Sequence, residues 1–198
     1  MIKLEQIHHV AYRCHDAKRT VEFYQEMLHM EFLVAIAEDR VPSTKEPDPY
    51  MHVFLDAGQG NILAFFELPT QPPMGRDPNT PAWCQHIAFR VADEAALLDA
   101  KAELIAKGVE VLGPVDHGII RSIYFFDPNG HRLELTCTLG SAAEMAELKR
   151  LAPIMLAEWS RTKKAPRHAD WLHRTEFTAA PEAGNPGRGE TAQGGEHD

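Results

Sequence analysis

The 198-residue chain sets 29 acidic against 20 basic residues, a formal charge of −9. No Lys/Arg block or basic stripe interleaved with aromatics breaks that balance, so a phosphate-tracking nucleic-acid surface is excluded. With 44% hydrophobic residues it can fill one substantial core or two half-domains that share one. Cys14, Cys84 and Cys137 form no CxxC pair and their odd number argues against a disulfide framework. The N-terminus carries no basic-then-apolar leader and no run of about 18 apolar residues occurs, so a cytoplasmic protein with no membrane partner is expected.

The first element opens on His9, where residues 9–16 read "HVAYRCHD", and from residue 86 the chain writes nearly the same strand again as "HIAFRVAD". His9 and His86 are 77 residues apart, as are Asp16 and Asp93, so the repeat keeps its register. Such a repeat decides the architecture before any single element does. After Asp16, a natural N-cap, Val21, Tyr24, Met27 and Leu28 recur at helical spacing. Strand-like segments follow: "EFLVAIAE" from Glu31, "MHVFLDAG" from Met51 and "NILAFFEL" from Asn61.

The second half runs from His86 into a helix marked by Leu97, Leu98, Leu104 and Ile105, capped by Asp93 and closed by Gly108. Then come "VEVLGP" from Val109, "IIRSIYFF" from Ile119 and "HRLELTCT" from His131, the last two joined by the turn Asp127-Pro128-Asn129-Gly130. Each half is therefore β-α-β-β-β. The halves end alike, on Phe66-Glu67-Leu68 and Leu133-Glu134-Leu135, but Glu67 and Glu134 are only 67 residues apart. The first half must carry a longer loop, and the Pro-rich stretch 41–49 is its expected place.

Two such modules bury more by pairing than either buries alone, and pairing creates a shared cleft. Side chains two apart on a strand face the same way, so His9, Ala11 and Arg13 share a side, as do His86, Ala88 and Arg90. If both histidines face the cleft and Glu67 and Glu134 do likewise, two imidazoles and two carboxylates converge there. That donor set suits a divalent metal ion. A lone histidine at a strand start is more commonly a cap or a half-buried polar residue, but its repetition reverses that reading. A glutamate among apolar neighbours, as in "FFEL" and "RLEL", is costly to bury unless paired or coordinated.

With its paired histidines and strand-end glutamates, the sequence resembles the vicinal oxygen chelate superfamily, which includes glyoxalase I, methylmalonyl-CoA epimerase, extradiol ring-cleaving dioxygenases and antibiotic-resistance proteins. The resemblance covers residue 5 to about residue 138. It implies an α+β fold in which two paired βαβββ modules form a cupped mixed sheet around a metal site, with His9, His86, Glu134 and Glu67 at the ligand positions. All four ligands filled would resemble glyoxalase I, whereas extradiol enzymes use two histidines and one glutamate. The segment "GPVDHGIIRSIYFFDPNGHRLELT", from Gly113 to Thr136, is similar to the active-site segment of catechol extradiol dioxygenases. That similarity implies His117 and Tyr124 as catalytic residues beside the metal glutamate. Read without the resemblance, Tyr124 is a strand aromatic and His117-Gly118 a turn. The dioxygenase pattern also implies a histidine just before the fourth strand of the first module, where Asn61 stands nearest, and Glu67 as a fourth ligand would obstruct joint binding of substrate and O₂.

The expected organisation is a 1–140 domain with modules at about 5–68 and 84–138, a helical extension over 141–177 and a disordered tail over 178–198. Met145, Leu148, Leu151, Met155 and Trp159 recur at roughly helical spacing, giving an amphipathic helix bent near Pro153. It has three candidate resting places: its own domain, the cleft mouth as a lid, or a second subunit in a homodimer. The tail from Thr178 lacks apolar bulk. The function expected is an Fe(II) extradiol-type dioxygenase acting on a small catechol-like aromatic and O₂. The alternatives are a glyoxalase-type isomerase or lyase using Ni(II), Zn(II) or Mn(II), and a metal-free small-molecule binding protein. The loop 69–82, "PTQPPMGRDPNTPA", is the segment expected to decide the substrate.

Overall fold

The computed structural model describes residues 1–173; the stretch read as a disordered tail, 178–198, lies outside the described residues. Strand β1 (Val10–Cys14) leads into helix α1 (Ala17–Leu28), then β2 (Phe32–Arg40), β3 (Pro47–Asp56) and β4 (Ile62–Glu67). The pattern repeats as β5 (His86–Arg90), α2 (Glu94–Ala106), β6 (Leu112–Asp116), β7 (Ile120–Phe126) and β8 (Arg132–Thr138), followed by α3 (Ala142–Thr162) and a short 3-10 helix, Asp170–His173. Each half forms a four-stranded sheet, ordered β1-β4-β3-β2 and β5-β8-β7-β6. The first and last strands of each half pair in parallel, and the remaining pairs are antiparallel. A parallel pair needs a long crossover between its strands. Here the crossover is the helix with its two following strands.

The helix starts are where the aspartates place them. Asp16 accepts from the Arg19 amide at 2.8 Å and Asp93 from the Ala96 amide at 2.9 Å, each satisfying a donor that the first turn leaves free. Tyr24, Phe65, Leu97, Leu104, Phe125 and Leu133 meet in one continuous core between the helices and the sheets. The Asp127–Gly130 turn does more than reverse the chain, because it also binds the other module. The buried Asp127 carboxylate accepts from the Tyr24 hydroxyl at 3.1 Å and from the amides of Asn129 and His131. Asn129 Nδ2 donates to Thr20 Oγ1, the His15 amide donates to Asn129 Oδ1, and His131 Nε2 stands 2.8 Å from the Arg13 carbonyl.

The longer connection of the first half is the β2–β3 hairpin, as expected, but most of the extra length is strand. Pro47, Asp48 and Pro49 belong to β3, leaving 41–46 as the turn. The second strand of the second half is shifted too: β6 begins at Leu112 rather than Val109. Helix α3 begins with a full capping box from Ser141 and Glu144 and runs on through Pro153. Of its apolar stripe only Leu151 is buried, while Met145 and Trp159 stay exposed. No helix among the described residues is long and apolar enough to cross a membrane.

Tyr24→Phe removes a hydroxyl that is bonded to a buried carboxylate, so it should lower stability by about 1–3 kcal/mol. Asp127→Ala should cost more, since it also strands the Tyr24 hydroxyl and two turn amides. Denaturant unfolding midpoints at unchanged slope check both.

Candidate functional site

Strand β8 alternates. Leu133 and Leu135 enter the core, and Arg132, Glu134 and Thr136 face the other side of the sheet. Glu134 is 3% exposed, and a carboxylate so far from water needs partners. It has two: Ser122 Oγ donates to Oε1 at 2.5 Å, and His86 Nε2 lies 2.9 Å from Oε2. His86 opens β5 opposite Arg132, and Ala88, two residues on, pairs with Glu134. The parallel pairing thereby brings imidazole and carboxylate together.

Tyr124 stands opposite Glu134 on the neighbouring strand β7. Its hydroxyl lies 2.8 Å from His117 Nε2, and the Arg132 guanidinium sits 4.2 Å from its ring centroid. Burial, reinforced by the Glu134 charge, pushes the phenol above its ordinary range, so at neutral pH it keeps its proton. The loop that presents His117 is tied down on both sides. The His117 amide donates to the Ile120 carbonyl, and Asp116 accepts from the Gly118 amide at 2.7 Å and from Arg121 at 2.7 Å. Those bonds, with Arg121 foremost, hold the Asp116 carboxyl below the usual carboxylate range. Gly118 takes φ +85°, and a Cβ there would meet the Leu172 carbonyl oxygen at 2.8 Å. The 3-10 helix thus closes directly over this loop.

The structure therefore brings together four of the residues singled out in the sequence: His86, Glu134, Tyr124 and His117. It places the other two elsewhere. His9 immediately precedes β1 at the first sheet, its ring 6.4 Å from His52 and 6.0 Å from Phe54. Among the described residues no group of three or more His, Cys, Asp and Glu side chains is arranged to hold a metal ion. His9 thus does not join His86 and Glu134 within the chain.

Glu67 lies on the far face of its sheet, where Oε2 accepts from the Ala17 amide at 2.7 Å. Register explains the difference. Ala11 pairs with Ala64, whereas its repeat counterpart Ala88 pairs with Glu134. Ala64 is thus the positional match of Glu134, and Glu67 stands three residues further on. An odd displacement along a strand reverses the face. The likeness of "FFEL" to "RLEL" is out of phase with the fold, and Glu67 serves the first turn of α1, where a carboxylate meets free amides and the positive end of the helix dipole.

His52, on β3, was missed. It stacks on Phe66 with centroids 3.6 Å apart, and its Nε2 is buried with no hydrogen-bond partner among the described residues. Burial and the neighbouring His9 both lower its pKa, burial the more. The signal was present: in "MHVFLDAG" the apolar Met51, Val53 and Leu55 alternate with His52 and Phe54. That parity assigns His52 to the face opposite the core.

A family model described as the Glyoxalase/Bleomycin resistance protein/Dioxygenase superfamily matches residues 6–135. Among similar proteins, biphenyl-2,3-diol 1,2-dioxygenase 3 of Rhodococcus globerulus is 40% identical over 67 residues, 32% of this chain and 35% of that one. The match thus spans about a third of that relative's length. 2-epi-5-epi-valiolone epimerase of Actinomyces sp is 31% identical over 145 residues, 65% of this chain and 77% of the epimerase. The solved structure of a glyoxalase family protein from Enterococcus faecalis superposes with a TM-score of 0.51 at 27% identity, covering 67% of this chain and 97% of that one. A glyoxalase/bleomycin resistance protein/dioxygenase domain from Frankia sp. EAN1pec gives 0.54 at 19% identity over 69% and 99% of the two chains, a likeness of fold.

Glu67→Ala should lower stability by about 1 kcal/mol, the usual cost of losing a carboxylate partner at a helix start. It should leave unchanged whatever divalent metal the wild-type protein takes up. Thermal unfolding with elemental analysis on one preparation checks both halves.

Proposed function

Because the chain belongs to the glyoxalase/bleomycin resistance protein/dioxygenase superfamily, we propose that it is a metal-dependent enzyme that opens the ring of a catechol-like aromatic with O₂. The observation that carries this reading is the Tyr124–His117 pair at 2.8 Å beside the His86–Glu134 pair at 2.9 Å. The donor types suit Fe(II): an imidazole and a desolvated carboxylate on rigid strands, with Ser122 orienting the carboxylate. His9 is the third ligand in this reading. Fe(II) held by these residues supplies the activation of O₂ toward the ring. Glu67, turned to the helix side, leaves a three-ligand set, the number that suits a dioxygenase.

The chain's own groups handle the protons. The Tyr124 phenol, kept protonated by burial, donates a hydrogen bond to a catecholate oxygen, and His117 accepts and returns a proton through it. His52, on the first sheet beside His9, has its pKa lowered by burial and its Nε2 without a hydrogen-bond partner among the described residues, and is a second proton acceptor.

His9 reaches that site from a second copy of the chain. Every residue of β2 is exposed, including Phe32, Leu33, Val34 and Ile36, so the sheet bearing His9 and His52 has an apolar edge to cover. Docked on the His86 side of another copy, it completes the ligand set. A second reading, an isomerase or epimerase that moves a proton at Ni(II), Zn(II) or Mn(II), is favoured by the longer alignment to the epimerase and by the free His52 nitrogen.

With Fe(II)-loaded protein and a panel of catechols, O₂ uptake should accompany a yellow ring-opened product. Tyr124→Phe should keep the metal but lose roughly 10²- to 10⁴-fold in turnover, the range for a positioned acid or base. No uptake with any catechol, together with proton exchange catalysed by nickel-loaded protein, replaces this reading with the second. His9→Ala and His86→Ala should each lose metal, and mixing the two should restore part of it through heterodimers. No recovery on mixing would mean that the site is not shared.

A further inference from the structure

Resting on the ring-cleavage reading, we propose that the substrate carries a carboxylate on its aromatic ring, held by Arg132 and Arg76 in the cavity that opens beside His86. The cavity measures about 420 Å³, within the range of small-molecule sites, and His86, Arg132, Arg76 and Tyr12 are among its walls. One wall is the loop 69–82. Arg13 Nη2 pins that loop through the Pro72 carbonyl at 2.6 Å, and Thr70 and Gln71 tie it to Asp48 at 2.6 and 2.9 Å.

The charge in this cavity runs against the rest of the molecule. The chain as a whole is −9, yet two arginines line the cavity and neither forms an ion pair among the described residues. Arg132 Nε is buried with no hydrogen-bond partner among the described residues. Its guanidinium rests on the Tyr124 ring, which compensates its charge from one face but gives its Nε donor no acceptor. An unpaired, partly desolvated guanidinium is costly unless something anionic arrives. The one carboxylate among the walls, Asp77, is committed to Thr80 and to the Asn79 amide.

Position then selects the ligand. Arg132 faces His86 in the strand register and lies over Tyr124. An aromatic ring whose oxygens lie beside the His86–Glu134 pair and Tyr124 therefore brings a ring substituent to the guanidinium. A planar carboxylate matches the guanidinium fork with two parallel hydrogen bonds. The biphenyl-2,3-diol in the name of the Rhodococcus relative has no such group, so this cavity marks a different substrate within the same chemistry.

Binding tests this apart from turnover. Isothermal titration of the metal-loaded protein at neutral pH compares benzoate with its neutral isostere benzamide and with inorganic phosphate. Benzoate should bind about tenfold or more tightly than benzamide, the worth of one charge-assisted hydrogen bond. Arg132→Gln should erase the preference by weakening benzoate alone. Arg76→Gln, at an exposed position where folding is not at stake, should reduce it. The preference should survive chelation of the metal. Equal affinity for benzoate and benzamide, undetectable benzoate binding, or an unchanged preference in both variants overturns the proposal. So does phosphate binding as tightly as benzoate, which makes this a general anion site, or a preference lost on chelation, which puts the carboxylate on the metal. If benzoate is preferred as described while no catechol consumes O₂, the cavity assignment stands and the ring-cleavage reading falls.

Discussion

The Asp127 carboxylate is the joint on which the molecule turns. It is nearly excluded from water, and a charge in that position persists only when its lone pairs are filled. The fillers come from both modules: the Tyr24 hydroxyl from α1 of the first half, and the amides of Asn129 and His131 from its own turn. Burial and Asp127 together push the Tyr24 phenol well above its ordinary pKa, so the donor keeps its proton at physiological pH. One side chain thereby fixes the tight turn between β7 and β8 and the docking of one module on the other. The contacts lie on the helix side of the sheets, which leaves the histidine-bearing faces for chemistry.

A second constraint is the phase of the two sheets. The repeat is in step at the first strands, where His9 matches His86, and out of step by the last strands, where Ala64 matches Glu134. The slip arises in the long β2–β3 hairpin of the first half. A register slip changes faces as well as positions. The two modules have consequently become chemically unlike: the second presents a carboxylate, two imidazoles, a phenol and a guanidinium, and the first presents two imidazoles on an aromatic floor of Phe54 and Phe66. In the function proposed above, each would hold part of a metal site and neither all of it. On that proposal the exposed β2 edge is where two copies would meet.

Local sequence determined a great deal. The offset repeat, the aspartate caps and the strand alternation fixed two βαβββ modules with their helix starts, because capping and period-two burial depend only on residues a few positions apart. The repeat singled out His86 and Glu134, whereas His117 and Tyr124 were singled out only by the resemblance to the catechol dioxygenase segment; the contacts within each pair are the structure's own. His52 was legible in principle from the same alternation.

What the tertiary structure alone decided is longer in range. It set which residues oppose one another across strands, and so turned Glu67 from a metal-ligand candidate into a helix-capping group. It left His9 on a separate face, and it gave Asp127 a partner 103 residues away. It also set Arg132 bare-edged over Tyr124. Sequence spacing carries a side chain's parity along its own strand, but hairpin length sets the register between strands and packing of the cores sets the docking of modules. Both are sums over many distant contacts, so no single motif records them.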